Sequence, residues 1–290
     1  MKRITLIVLP FILYILGLVA YYFDKINSFV FFILFVTGLI ITLSGFYLYR
    51  NNNRHKQIFA GCFLALSLIF LFEYRLMFYE KHTYFVTSYN EPFEIVEDSG
   101  IYILSVDIFE AAYIDDLDYL IKSIELSNDK EVLDAEIVTN KMRYYSKNQE
   151  LLSYIRPAEK HFETMKGNVM AYLPDTSSII EDFLNREDFE GDSAGLAAVL
   201  SGLSENGSFN NKVPIAVTGA IDGEGNVKEI GSMKAKILIA EKSGFSHILL
   251  PVENEEEAKK VKKDEQLNIN IIAVASIENA VKEIMRLNND

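Results

Sequence analysis

Residues 190–203 read Glu-Gly-Asp-Ser-Ala-Gly-Leu-Ala-Ala-Val-Leu-Ser-Gly-Leu, a serine between two glycines at the mouth of a run of small and aliphatic residues. Ser193 to Leu203 has the composition of a packed helix, and Ser193 stands where an N-cap would stand. A serine hydroxyl is also a weak nucleophile that becomes strong when a base takes its proton. Which reading holds depends on a base elsewhere in the chain. The only histidines are His55, His82, His161 and His247.

Around this stretch the pattern alternates. Val213–Val217 reads as a buried strand, Asp222–Asn226 as a Gly-rich tight turn, and Val227–Ile230 as a short strand. Ser232–Lys242 reads as a helix closed by Gly244. His247–Leu250 and Ile269–Val274 read as strands, and Glu255–Lys262 and Ile277–Leu287 as helices. Upstream, Ile101–Ile108 and Asn168–Leu173 read as strands, and Ile114–Leu126 as a helix. Met142–Met165 reads as mostly helical and broken at Pro157. Such alternation predicts an α+β or α/β domain.

Two histidine-based readings of Ser193 fit their context less well, and the second of them, an esterase, stays open as a lesser alternative. Gly191-Asp192-Ser193-Ala194-Gly195 is similar to the Gly-Asp-Ser-Gly-Gly of chymotrypsin-like proteases, but a helix follows it here, and His82 and His161 lie in no matching context. It also fits the Gly-x-Ser-x-Gly elbow of α/β-hydrolases, an esterase reading that needs His247 as base. No strand leads into Ser193 to form that elbow, since Glu187-Asp188-Phe189-Glu190 is acidic and loop-like. A lysine is the other candidate base, because burial lowers an amine pKa by penalising its charged form. Ile230-Gly231-Ser232-Met233-Lys234-Ala235-Lys236-Ile237 offers two. Residues two apart on a helix point about 200° apart, so one faces a site and the other solvent. Lys236, among Ile237, Leu238, Ile239 and Ala240, is the buried candidate; Lys234 reads as solvated.

Taken in order, Gly191–Gly195, Val217-Thr218-Gly219-Ala220, Gly225–Lys236, Gly244 and Leu250-Pro251-Val252-Glu253-Asn254 resemble the proteolytic domain of Lon proteases. The resemblance implies a Ser-Lys dyad peptidase. Ser193 would be the nucleophile and Lys236 the general base and acid. Thr218 would hold the lysine amine, the start of the serine helix would supply the oxyanion hole, and Glu190 would take the place of a family acidic residue. Three departures stand out: Asp192 for a proline, Ser232 for the second glycine, and Ala220 for a glutamate. No Gly-x-x-x-x-Gly-Lys-Ser/Thr phosphate loop occurs, so the resemblance is to ATPase-free, membrane-anchored Lon-like proteases. The roughly 110 residues between the third apolar run and Ser193 are expected to be too few for a complete PDZ domain beside the catalytic domain.

The remaining chain is of another composition. Half of the 290 residues are hydrophobic, and the excess lies in three nearly uncharged runs, about 4–23, 26–49 and 57–74, each near the length of a membrane span. The first exceeds the apolar core of a signal peptide, although Leu18-Val19-Ala20 is a fair cleavage site. Lys2, Arg3, Arg50, Arg54 and Lys56 outnumber Lys25, Arg75 and Lys81, which predicts an inside N-terminus and an extracytoplasmic catalytic domain. Residues 1–79 carry net charge +5 and residues 80–290 carry −18, which excludes nucleic-acid binding by the domain. The lone Cys62 lies in the third run, so no intrachain disulfide and no cysteine metal site form.

The expected organisation is a membrane domain 1–79, a connector region 80–165 and a Lon-like α+β protease domain 166–290. The expected activity is ATP-independent endopeptidase action on unfolded or flexible polypeptide. It would proceed without cofactor or metal, by Ser193 and Lys236 with Thr218, Glu190 and Asp192 in support. The lipid bilayer, and by resemblance a second copy of the chain, are the other partners. The alternative of a different class is an inactive, membrane-anchored scaffold on the same fold.

Overall fold

The computed structural model describes residues 2–77, 84–111, 116–128, 131–153, 161–173, 175–187 and 189–289. In chain order the helices are α1 (Lys2–Tyr22), α2 (Ser28–Leu48), α3 (Asn53–Glu73), α4 (Leu117–Asn128), α5 (Asn140–Ser153), α6 (His161–Tyr172), α7 (Ser178–Leu184), α8 (Gly195–Glu205), α9 (Met233–Lys242), α10 (Glu255–Asp264) and α11 (Ile277–Leu287). The strands are β1 (Tyr84–Ser88), β2 (Phe93–Glu94), β3 (Ile101–Ile103), β4 (Asp107–Ala111), β5 (Val132–Ile137), β6 (Ile215–Val217), β7 (Ala220–Ile221), β8 (Val227–Lys228), β9 (His247–Pro251) and β10 (Asn270–Val274). Two compact units result: residues 1–85, 110–115 and 136–158, and residues 86–109, 116–135 and 159–290.

In the first unit the apolar runs are helical throughout. Ser28–Leu48 and Asn53–Met77 are long and apolar enough to cross a membrane by length and composition. Helix α1 is equally long, 21 residues from Lys2 to Tyr22, about 31 Å at 1.5 Å per residue against a hydrocarbon core of about 30 Å. Two of the three expected spans meet the length and composition measure among the described residues. Small residues let the helices approach: a Cβ on Gly45 would meet the Phe59 ring at 2.3 Å, and one on Gly38 would touch Pro10 at 3.4 Å. Helix α5, which falls in the stretch expected to be mostly helical and polar, belongs to this unit. Its Asn140 donates side-chain hydrogen bonds to the carbonyls of Tyr21 and Ile26, both at 3.0 Å. Its fully buried Lys147 pairs with Glu73 at 2.5 Å, and Tyr14 donates to the same carboxylate at 3.1 Å.

The second unit is built on a five-stranded sheet of order β10-β9-β6-β3-β2, parallel except for its edge strand β2. Alternate side chains enter opposite cores. Ile215, Val217 and Leu249 pack with α8 and α11, whereas Ala216, Ile248 and Leu250 pack with α9 and Ala258 of α10. Covering both faces explains why β9 is an unbroken apolar run. Helix and sheet are mixed, as the α+β expectation requires, and the layering is helix, sheet, helix. Strands β4, β1 and β5 form a separate sheet in that order.

Several elements differ from the sequence reading. Asn168–Leu173 is helical, part of α6, because Phe162, Met165, Val169 and Tyr172 repeat at helical spacing and turn into the core beside α8. The six-residue window hides that period. Ile101–Ile108 splits into β3 and β4, with 104–106 outside either strand. The strands around the Asp222 turn are only two residues each. Ile114 and Pro157 lie outside the described residues, so the expected start of the Ile114–Leu126 helix and the break at Pro157 do too.

Gly225 sits at φ +85°, where a Cβ would stand 2.5 Å from the Tyr172 ring. Gly225→Ala should destabilise the second unit by about 2 kcal/mol through left-handed strain and overlap. Gly207→Ala, at φ +78° with nothing within 4 Å, should cost about 1 kcal/mol from strain alone. Denaturant midpoints of the two variants test the difference.

Candidate active site

The serine loop is held by main-chain bonds. Residues 189–194 precede α8 without forming a strand, and Gly191 takes φ +86°. The N–H of Gly219, just past β6, donates to the Ser193 carbonyl at 2.8 Å, and the Leu196 N–H donates back to the Gly219 carbonyl at 2.9 Å. The hydroxyl of buried Thr218 also donates to the Ser193 carbonyl, at 3.3 Å. The sequence reading gives Thr218 to the lysine amine; the structure gives it to the serine backbone. Ser193 does not cap the helix either: Ala194 holds the N-cap position, with no side-chain capping bond.

The helix start is not a free set of donors. The Gly195 N–H is taken by the Asp192 carbonyl at 3.1 Å, and that of Leu196 by Gly219. The N–H groups of Ser193 and Ala194 donate no hydrogen bond among the described residues.

Lys236 comes from the first turn of α9. The chain enters that helix through Ser232 at φ 57° and ψ 36°, a left-handed position that favours glycine. Asn254 fixes the approach: its side-chain amide donates to the Ile230 carbonyl and accepts from the Ile230 N–H, both at 3.0 Å. Sequence reasoning passed over this role, although Asn254 closes a quoted motif. Lys236 is 5 % exposed. Burial lowers its amine pKa to about 8, while the Asp192 carboxylate pulls it back up. No hydrogen bond joins this amine to Ser193 or Thr218 among the described residues. Lys234, expected as solvated, instead pairs with Asp134 at 2.7 Å.

Ser193 and Lys236 line one cavity of about 570 Å³ with Glu190, Asp192 and Ser232. Its other wall includes Leu104, Ser105 and Val106, the residues between β3 and β4. Glu190 is exposed; the half-exposed Asp192 lies 3.9 Å from the ring of His161. His161 starts α6, so the sequence, which found no context for it, missed a neighbour of the site. His247 begins β9, shares a 2.9 Å hydrogen bond with Ser246 and does not line the cavity, which leaves an esterase elbow without a base. His55 is on α3, and His82 lies outside the described residues. Among the described residues no group of three or more His, Cys, Asp or Glu is placed to hold a metal ion.

Ser193, outside the helix cap, and the buried Lys236 thus line the same cavity. Residues 188–287 match the Lon protease (S16) C-terminal proteolytic domain. Similarity to curated proteins falls in a stretch of similar length. The Lon protease of Azospirillum brasilense is 30 % identical over 96 residues, 33 % of this chain and 12 % of that protein. The peroxisomal Lon protease homolog 2 of Caenorhabditis elegans is 36 % identical over 98 residues, again 33 % of this chain and 12 % of the relative. The Lon protease of Buchnera aphidicola from Acyrthosiphon pisum aligns further, 29 % identical over 140 residues, 41 % of this chain and 18 % of the relative. The chain thus spans about an eighth to a fifth of the curated relatives it matches. The matched residues 188–287 include both Ser193 and Lys236.

The buried amine has a stability consequence. A lysine with folded pKa near 8 and unfolded pKa near 10.5 destabilises the fold while charged. That penalty is full below pH 8 and gone above pH 10.5. Lys236→Met should therefore stabilise the Lon-like domain by about 3 kcal/mol at pH 6, with the gain vanishing by pH 10.5. Denaturation followed by circular dichroism at the two pH values tests it.

Proposed function

We propose that this chain is a membrane-anchored serine endopeptidase that cuts unfolded or flexible polypeptide without ATP. The carrying observation is the buried Lys236 amine, without a partner among the described residues and held near pKa 8 in the same cavity as Ser193. At slightly alkaline pH much of it is neutral. The neutral amine takes the Ser193 proton as Oγ attacks the scissile carbonyl carbon. The oxyanion is met by the N–H groups of Ser193 and Ala194. Lys236 returns the proton to the leaving amine, and water then releases the acyl group by the same route reversed.

Anchoring is supported by the outward faces of the first three helices. Ile12, Ile15 and Leu16 of α1, Ile33 and Ile40 of α2, and Leu64, Leu68 and Leu71 of α3 are all exposed. The apolar windows of α2 and α3 are only 33 % and 17 % buried, unlike core helices of a water-soluble protein. Basic residues before the first helix, Lys2 and Arg3, and in the loop between the second and third, Arg50, Arg54 and Lys56, favour an inside N-terminus and an extracytoplasmic Lon-like domain. ATP independence rests on the lack of any phosphate loop in the 290 residues.

A second reading, a membrane scaffold that no longer cleaves, is favoured by the absence of a direct Ser193–Lys236 hydrogen bond among the described residues. Such bonds also tighten only with substrate in many enzymes, so turnover decides. The full chain in detergent should degrade an unfolded protein without ATP, with rates rising through about pH 8 as Lys236 loses its proton. Ser193→Ala and Lys236→Met should each lower the rate about a thousandfold or more. Folded protein that neither cuts nor is acylated at Ser193 would favour the scaffold.

Asp192 gives a sharper test. Its charge raises the Lys236 pKa, so Asp192→Asn should move the rising limb of the pH–rate profile toward lower pH. An unmoved limb would mean that the titrating group is not Lys236.

A further inference from the structure

The cavity of Ser193 and Lys236 is also lined by three carboxylates, Glu187, Glu190 and Asp192, from one short loop. Glu187 and Glu190 are exposed and make no hydrogen bond or ion pair among the described residues. Asp192 faces His161 at 3.9 Å and the Lys236 amine. The loop is not a loose acidic tail. The Phe189 ring within it packs at 5.7 and 5.6 Å from those of Phe93 and Phe183. The neighbouring Arg186 guanidinium lies over the Phe93 and Phe189 rings, at 5.7 and 4.5 Å.

Acidic residues on a surface loop usually serve solubility. Here a second, independent feature shows that the space they rim is built for a ligand. The Lys236 amine, 5 % exposed and without a hydrogen-bond partner among the described residues, lines the same cavity. A polypeptide entering it meets negative charge from the loop and apolar surface from Phe162 and Phe189. A cationic side chain gains a partner there without disrupting an existing pair. An acidic side chain faces like charge in a concave site that focuses the field.

We propose that the cavity selects polypeptide segments carrying a Lys or Arg side chain next to the scissile bond. The cation pairs with Glu187 or Glu190, and an adjacent apolar side chain lies against Phe162 and Phe189. This rests on the endopeptidase reading for the bond broken, but the selection itself is a property of binding.

The test uses the full chain in detergent as Ser193→Ala, which binds without turnover. Fluorescence anisotropy gives the Kd of an unstructured, labelled peptide with one Lys among apolar residues, and of twins with Gln or Glu at that place. The Lys peptide should bind about tenfold more tightly than the Gln twin, the strength of one charge-assisted contact, and the Glu twin should bind most weakly. Raising the salt to about 0.5 M should shrink the spread. Adding Glu187→Gln and Glu190→Gln together, isosteric changes whose fold is checked by circular dichroism, should erase the Lys preference. Equal affinities, a preference that survives the double change, or no binding of any peptide would each overturn the proposal. Wild-type turnover of an unfolded protein separates the two ideas. Turnover without Lys preference overturns the selection alone, and Lys preference without turnover overturns the endopeptidase reading alone.

Discussion

Two short hydrogen bonds between Gly219 and the segment Ser193–Leu196 are the constraint on which the site depends. They splice the loop before α8 onto the end of β6, a strand in the middle of the five-stranded sheet. Everything the sheet fixes is thereby passed to Ser193. The close approach explains the glycine: a Cβ at 219 would press on Leu196 and Val227 at 3.1 Å. Thr218 adds a third tie to the same carbonyl. The serine is thus placed by its own backbone, and its side chain stays free of a capping role. A nucleophile needs that freedom and a helix cap does not.

The lysine is placed by the opposite strategy. Among the described residues no polar group hydrogen-bonds its amine; the α9 helix carries it into a buried position, and the entry to that helix is what is fixed. The left-handed Ser232 costs about 1 kcal/mol relative to glycine. The buried, doubly bonded Asn254 side chain over-determines the preceding residue. Desolvation then lowers the pKa, and Asp192 opposes it from the serine side. A proline at 192 could not exert that pull. The departure at this residue is therefore an electrostatic change acting on the base rather than a steric change acting on the nucleophile.

The sequence made the site more legible than the fold around it. Ser193 and Lys236 were marked by spacing and by composition: the lysine facing apolar neighbours is the buried one, and its partner Lys234 faces Asp134. Strands β9 and β10 and helices α9 to α11 were readable because each keeps one period between clear punctuation such as Gly244. Asn168–Leu173 was not, since a short apolar run fits either period and only packing against α8 selects the helix. Ile101–Ile108 misled because β-branched residues continue past Ile103, where the chain leaves the sheet to wall the cavity. Thr218 misled because a strand-end hydroxyl has several acceptors in reach, and a motif does not say which one it takes.

The matched region, residues 188–287, contains the serine, the lysine and the elements that hold them. It does not contain the whole cavity. Ile103 to Ile108, Phe162 and Glu187 also line the space in which a substrate would lie. Ser193, Lys236 and their supports thus fall within the part that matches the Lon proteolytic domain model, and much of the rest of the cavity wall falls outside that matched part. Chemistry requires a nucleophile, a base and two amide donors at fixed positions, which tolerates little variation. Selection requires only charge and shape along the wall, which a loop between β3 and β4, the first turn of α6 and an acidic approach to the serine supply. The same division explains the charge of the chain. Apolar faces on α1 to α3 and net negative charge after residue 79 each suit a different surrounding, and the acidic excess reaches the cavity itself through Glu187, Glu190 and Asp192.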